Sequence, residues 1–298
     1  MKVFNTYLLL LTIFITSCKS GEQKDVIKEE PTPLPESQTS LKINSGGYSW
    51  WSGEYLQQSK IDSDNFYVTG VGVNNNSSQQ WLTKFTLNEK GFNLVNKVDL
   101  LSKFKADEHN SPSVLTIEDY ILVALTGHGD DFDPEVANKV IVYSGKKIDS
   151  METTVLDTDA PSTYVSLVAI GDDILLFSRI EQKGLSYSVS SDFGKSWSKF
   201  RSVLGRGYYA DVKVDPTSQE LYFFIGVHPN NPKSSIKVAR AYFNGDQILP
   251  FHIEDANEQG VLKGSSYTNV YTAPIEHDAR IVVAKHIRSI GGEKLCIC

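Results

Sequence analysis

Asp107-Glu108-His109-Asn110-Ser111-Pro112 runs into Ser113-Val-Leu-Thr-Ile117, then a polar break at Glu118-Asp119, then Tyr120-Ile-Leu-Val-Ala-Leu-Thr126 and Gly127-His128-Gly129. Two apolar, β-branched runs around a short polar break are the signature of a β-hairpin. With the turn centred on Glu118-Asp119, facing residues have numbers that sum to 237, and His109 and His128 meet that condition. Opposed residues of an antiparallel pair stand about 5 Å apart at Cβ. The spacing therefore predicts two imidazoles side by side at the open end of one hairpin.

The pattern recurs. Thr163-Tyr164-Val-Ser-Leu-Val-Ala-Ile170, the turn Gly171-Asp172, and Asp173-Ile-Leu-Leu-Phe-Ser178-Arg179 form a second hairpin, in which Tyr164 is predicted to face Arg179. Glycine at the first turn position suits a tight type II′ connection. A third hairpin pairs Tyr208-Tyr-Ala-Asp-Val-Lys-Val214 with Leu221-Tyr-Phe-Phe-Ile-Gly-Val227-His228 around a longer loop at Ser218, with Tyr208 falling opposite His228. Three hairpins thus carry a polar pair at the same open end.

Earlier and later hairpins complete the series: Glu54–Gln58 with Phe66–Val71, and Tyr267–Tyr271 with Arg280–Ala284. The period is about 54 residues, in the range of propeller blades. Between the hairpins lie second ones: Trp81–Thr86 with Phe92–Val95, Leu185–Val189 with Trp197–Phe200, and Ile236–Tyr242 with Gln247–Leu249. Two hairpins per period make a four-stranded blade, so the fold class is all-β, a β-propeller of four-stranded antiparallel blades. A β-sandwich would not explain so regular a period. About four and a half such units fit residues 46–298. The third unit also holds Ser190-Ser-Asp192-Phe-Gly194-Lys-Ser-Trp197, an S-x-D-x-G-x-x-W Asp-box. Its physics is local: Asp192 caps the turn, Gly194 takes a positive φ, and Trp197 packs inward.

Gly46-Gly-Tyr-Ser-Trp50-Trp51, Glu108-His109-Asn110-Ser-Pro112, Thr126-Gly-His128-Gly129, Thr163-Tyr164, Phe177-Ser-Arg179 and the Asp-box follow one another in order. Together they resemble the BNR-repeat, sialidase-like propellers that include ulvan lyases and related rhamnosyl-glucuronate lyases and rhamnosidases. The resemblance spans roughly residues 45–245, and its most specific part is the two histidine motifs. It implies a cleft for a uronic acid linked to sulfated rhamnose, and elimination carried out by His109, His128, Tyr164, Arg179 and Tyr208. Asn110, Trp50, Trp51 and His228 are its candidate substrate contacts. The tryptophans either stack on sugar or pack in a core; His228 either lines the cleft, holds a metal or sits in a plain turn. Two features depart from the family. Its first blade carries Gln-Asp-x-Arg after the aromatic pair, where this chain has Ser52-Gly-Glu54-Tyr-Leu. Its ring has seven blades, so the expectation for this chain is a propeller incomplete at the C-terminus.

The chain has 298 residues, 40% hydrophobic and 22% charged, with a net charge of −7. That charge lies wholly in residues 46–298, because the first 45 residues hold five basic and five acidic side chains. An acidic body is the wrong sign for nucleic acid, and an anionic substrate needs a local cationic site on it. Met1-Lys2, the apolar Tyr7–Ile15 and Thr16-Ser17-Cys18 read as a signal peptide over 1–17. Ile15-Thr-Ser-Cys18 resembles a lipobox, so Cys18 is expected to carry lipid. Lys19-Ser20 then points to the outer membrane of a bacterial envelope, and the Pro-rich segment to residue 45 reads as a tether. The expected partners are an acidic polysaccharide and, through the lipid, the membrane. No cofactor is required by the chemistry; a structural calcium or zinc ion is left unassigned, the acidic loop Gly129–Glu135 suggesting calcium although its spacing matches no known calcium loop.

The residue types fit elimination from a uronate. Arg179 pairs with a carboxylate at any relevant pH. Histidine near neutrality is a base or a charge neutraliser, and tyrosine a proton donor. A hydrolase of the same group and a non-catalytic glycan-binding propeller are the alternatives.

Overall fold

The computed structural model describes residues 55–297 except 75–76, 90, 102, 106, 129–132, 134–135, 207, 216–217, 228–236, 250–251, 256–268, 275–280 and 290–291. For Glu108, Tyr208 and the strands after residue 251 it describes the backbone. The expected leader (1–17), Cys18, the tether, Trp50, Trp51, His228 and most of the acidic loop lie outside the described residues.

The strands group into successive antiparallel meanders. The first sheet is β1 (Leu56–Gln58), β2 (Asn65–Asn74), β3 (Ser77–Asn88) and β4 (Gly91–Asp99), with β5 (Phe104–Lys105) pairing along β3. The second is β6 (Ser113–Ile117), β7 (Tyr120–Thr126), β8 (Lys139–Gly145) and β9 (Glu152–Asp157). The third is β10 (Ser162–Ile170), β11 (Asp173–Ile180), β12 (Gly184–Ser190) and β13 (Arg201–Leu204). The fourth is β14 (Tyr208–Val214), β15 (Glu220–Val227), β16 (Lys237–Tyr242) and β17 (His252–Asp255). A three-stranded sheet follows, β18 (Asn269–Pro274), β19 (Ile281–Ser289) and β20 (Gly292–Ile297). The first strand of each sheet lies against the first strand of the next: β1 with β6, β6 with β10, β10 with β14, β14 with β18. This succession of meanders with adjoining inner strands is a β-propeller.

The long apolar runs follow from that packing. Along β7, Ile121, Val123 and Leu125 turn toward the first sheet, where they meet Tyr67, Leu82 and Phe104. Leu122 and Ala124 turn the other way, onto Val165, Leu167, Ile174 and Leu176 of the third sheet. Leu175 and Phe177 of β11 then pack on Val212, Phe223 and Ile225 of the fourth. Side chains alternate between the two faces of a strand, and here both faces are buried, so the central residues of β7 and β11, 121–125 and 174–177, are all apolar. The outermost strands lose this pattern: β4 and β9 are mostly exposed.

The β6–β7 register matches the sequence reading, with Ser113 opposite Ala124 and Ile117 opposite Tyr120. Glu118 holds the turn at φ 49°. Two outer strands depart from expectation. The segment Trp197–Phe200 is not a strand; the partner of β12 is Arg201–Leu204, because the Asp-box turn consumes the residues before it. Gln247–Leu249 makes only the Phe243–Ile248 bridge, and the fourth strand of that sheet is His252–Asp255.

The Asp-box joins two sheets. Asp192 accepts from the Ser196 backbone N–H at 2.9 Å, and Trp197 Nε1 donates to Gly194 O at 3.0 Å. Phe193 stacks on Tyr120 of β7 at 4.4 Å, and Thr154 Oγ1 of β9 donates to Gly194 O at 3.3 Å. Gly194 has φ +85°, and a Cβ there would stand 2.7 Å from Leu122 Cδ2. Gly194→Ala therefore combines backbone strain with overpacking and is expected to cost about 1–3 kcal/mol. Urea unfolding measures it; an unchanged midpoint would show that the box does not bear on the second sheet.

Candidate functional site

The open ends of the second, third and fourth sheets carry the candidate residues. Before β6 the chain makes a single 3-10 turn, Glu108–Asn110, capped by Asp107, whose Oδ1 accepts the His109 backbone N–H at 2.9 Å. The turn is tied to the first sheet. Asn110 is fully buried, its Nδ2 donates to Ser78 Oγ at 3.0 Å, and Thr69 Oγ1 donates to Pro112 O at 3.3 Å. Asn110, a candidate substrate contact by resemblance, is thus engaged in holding the turn against its neighbour. At the end of β7, Thr126 Oγ1 and Ser162 Oγ lie 2.6 Å apart, each two residues before a candidate, His128 and Tyr164.

His109 and His128 come together beyond the paired part of their hairpin. Their rings stack with centroids 4.3 Å apart and planes 20° from parallel. Asp107 binds both: Oδ1 meets His109 Nδ1, and Oδ2 meets His128 Nδ1 at 2.7 Å. Tyr164 reaches both rings, with centroids 5.8 Å from each.

Tyr164 does not face Arg179 in the ladder. Thr163 does, and the register shifts between Thr163 and Val165, so Tyr164 is the extra residue of a β-bulge. It is buried, with φ +58°, a region that costs a bulky residue on the order of 1–3 kcal/mol. A bulge re-aims a side chain, and this one turns the phenol onto the imidazoles. Arg179 lies over the Tyr209 ring, its Cζ 4.8 Å from the centroid, and Nη1 donates to Thr163 Oγ1 at 3.5 Å. Neither partner is anionic. Tyr209 closes the row, 5.6 Å from Tyr164.

Tyr208 is corrected as a partner of His228: the register of β14 and β15 sets it opposite Val227, one residue off. The loop around Ser218 is too long to fix the register from sequence, and a one-residue slip exchanges the faces of a strand. Tyr209, the next residue of this strand, meets Tyr164 and Arg179. The residue types alone did not reveal Asp107 either. The cue was present in its place two residues before His109, where an Asp caps a turn.

Asp107, His109 and His128 place their donor atoms within 4.8 Å of one another, close enough to suggest a metal. The ring geometry argues against it. A metal ligated by two imidazoles lies in the plane of both, and planes only 20° apart meet far from either stacked ring. A carboxylate offers one oxygen to each ring, as the two hydrogen bonds show. Burial alone would raise the Asp107 carboxyl. The hydrogen bonds from the His109 backbone and from both rings outweigh it, and hold the group below the ordinary carboxylate value.

No protein-family model matches this chain, and no curated protein matches its sequence. Solved structures match its fold. An α-L-arabinofuranosidase from Fusarium graminearum, solved with an iminosugar inhibitor, superposes with a TM-score of 0.53 at 10% identity, covering 81% of this chain and 74% of its own. An α-L-arabinanase from Penicillium chrysogenum, solved with arabinobiose, gives 0.51 at 10% identity, over 83% of each chain. At such identity the likeness is one of architecture, and function rests on the site.

A depressed carboxyl contributes stability that is complete above its unfolded pKa, about 3.9, and is lost as pH falls through the folded value. Relative to Asp107→Asn, the native protein is therefore expected to lose stability on acidification from about pH 5 toward pH 2. Urea unfolding across that window checks it; parallel curves would contradict the depressed carboxyl.

Proposed function

We propose that the protein acts on an acidic glycan, cleaving a uronic acid–rhamnose linkage of an ulvan-like sulfated polysaccharide by β-elimination. The observation that carries the reading is the convergence of a guanidinium, two imidazoles and two phenols from three consecutive sheets into one row of contacts. Arg179 carries a permanent charge and has no anionic partner among the described residues, so it is suited to a substrate carboxylate. With His128 it neutralises the uronate, which makes the C5 proton acidic enough to remove. His109 takes that proton as the C4–O bond breaks and the C4–C5 double bond forms. Tyr164 donates a proton to the departing oxygen. Stabilising the enolate-like intermediate electrostatically is the largest contribution such a site makes.

The two matched folds bear the names of glycosidases, which keeps a hydrolase of the same group as the second reading. Glycoside hydrolysis ordinarily needs two carboxyl groups flanking the bond. The described cluster holds one, Asp107, and both of its oxygens are occupied by imidazoles. That favours elimination. A lipid anchor at Cys18, with residues 19–45 as a tether, would place the site at the bacterial surface, where such a polymer is met.

Incubation with ulvan separates the readings. Absorbance near 235 nm, from the new double bond, is the expected result. Reducing sugar without that absorbance indicates hydrolysis, and retention without products indicates a binding protein. Arg179→Ala is expected to lower kcat at least about a hundredfold, as removal of an oxyanion donor does, and His109→Ala comparably. Full activity in either variant would remove that residue from the chemistry.

A further inference from the structure

We propose that Asp107 is a positioning residue that locks both histidines of the site into one tautomer, with Nδ1 protonated and Nε2 as the working nitrogen of each ring. The geometry is that of a shared clamp. One carboxylate spans two stacked rings, with Oδ1 on His109 Nδ1 and Oδ2 on His128 Nδ1, the latter at 2.7 Å. The rings stand 4.3 Å apart and nearly parallel, so each oxygen serves one ring. The carboxylate is itself fixed, because Oδ1 also accepts the His109 backbone N–H at 2.9 Å.

The tautomer follows from donor and acceptor counting. An ionised carboxylate only accepts hydrogen bonds, so both ring nitrogens that touch it must donate. The Asp107 carboxyl is held below its ordinary value, so it is ionised at mildly alkaline pH. Both rings therefore carry their proton on Nδ1, opposite to the tautomer that free histidine favours in water. Any proton taken up or given by either ring then passes through Nε2. The two Nε2 atoms belong to rings stacked face to face, which makes them a matched pair directed by one acid.

Asp107→Asn makes a sharp distinction between the two rings. Asparagine also caps turns, so the 3-10 turn is retained. Its Oδ1 keeps the His109 backbone N–H and the His109 ring. Its Nδ2 takes the place of Oδ2, and that amide donates where Oδ2 accepted. His128 must then accept at Nδ1 and move its proton to Nε2, while His109 stays as it was. In a serine-protease triad the corresponding Asp→Asn change leaves the geometry intact, sets the wrong tautomer and lowers kcat about 10⁴-fold.

Long-range ¹H–¹⁵N NMR of the ¹⁵N-labelled protein at mildly alkaline pH reads the tautomers directly, with His109→Gln and His128→Gln assigning the rings. The expected wild-type spectrum shows both rings protonated at Nδ1. In Asp107→Asn, His128 alone is expected to switch to Nε2–H, and kcat on the acidic glycan to fall at least about tenfold, the effect typical of losing an orienting partner. Either ring protonated at Nε2 in the wild type, or an unaltered His128 in the variant, overturns the proposal. The wild-type spectrum decides even if the variant does not fold. The kcat arm rests on the elimination reading and the spectra do not, so inactivity with the expected spectra would overturn that reading and leave the clamp standing.

Discussion

The inner strands of the second and third sheets are buried on both faces, and that constraint fixes where the candidate residues lie. A strand with one wet face can slip by two residues at modest cost. A strand wedged between two sheets cannot, because any slip unseats side chains in two packed cores at once, Val123 in one and Leu122 in the other. Leu122 is fully buried, and shortening such a leucine costs about 2–5 kcal/mol. Register held this firmly delivers the ends of β6, β7, β10 and β14 to fixed places, and the candidate residues sit at those ends. The hairpin turns at the other end are linked as well: Gly171 N–H donates to Gln219 Oε1 of the next sheet at 2.9 Å.

On that rigid frame the site is built from two small departures from regular structure and one arginine. A capped 3-10 turn brings His109 over His128. A bulge with a left-handed tyrosine turns Tyr164 onto both rings. An arginine whose partners are neutral lies over Tyr209. Strain of the kind seen at Tyr164 persists where surrounding structure over-determines it and is common at functional sites. Here Ser178 Oγ, which donates to Thr163 O at 3.2 Å, holds the bulge from the opposing strand.

What was legible in the sequence follows the same physics. The β6–β7 register could be read because apolar runs flank a two-residue turn, and pairing His109 with His128 followed from it. The bulge at Tyr164 could not, because Thr163 and Tyr164 precede the apolar run and nothing in the pattern marks an extra residue. The pairing of Tyr208 with His228 was off by one because the longer loop left the register of β14 open, and Tyr209 was not singled out beside it. Asp107 was part of the quoted motif, yet its role depends on a turn that brings two rings to one carboxylate. The fourth strands were misplaced where an Asp-box or a polar loop intervenes, since exposed outer strands carry little apolar signal.

The most direct test is a crystal structure of the His109→Ala variant with a uronate-containing oligosaccharide from ulvan. A uronate carboxylate within about 3 Å of the Arg179 guanidinium, with Tyr164 facing the glycosidic oxygen, is the expected result. A sugar bound elsewhere on the propeller, or one whose carboxylate faces solvent away from Arg179, would contradict the proposed site.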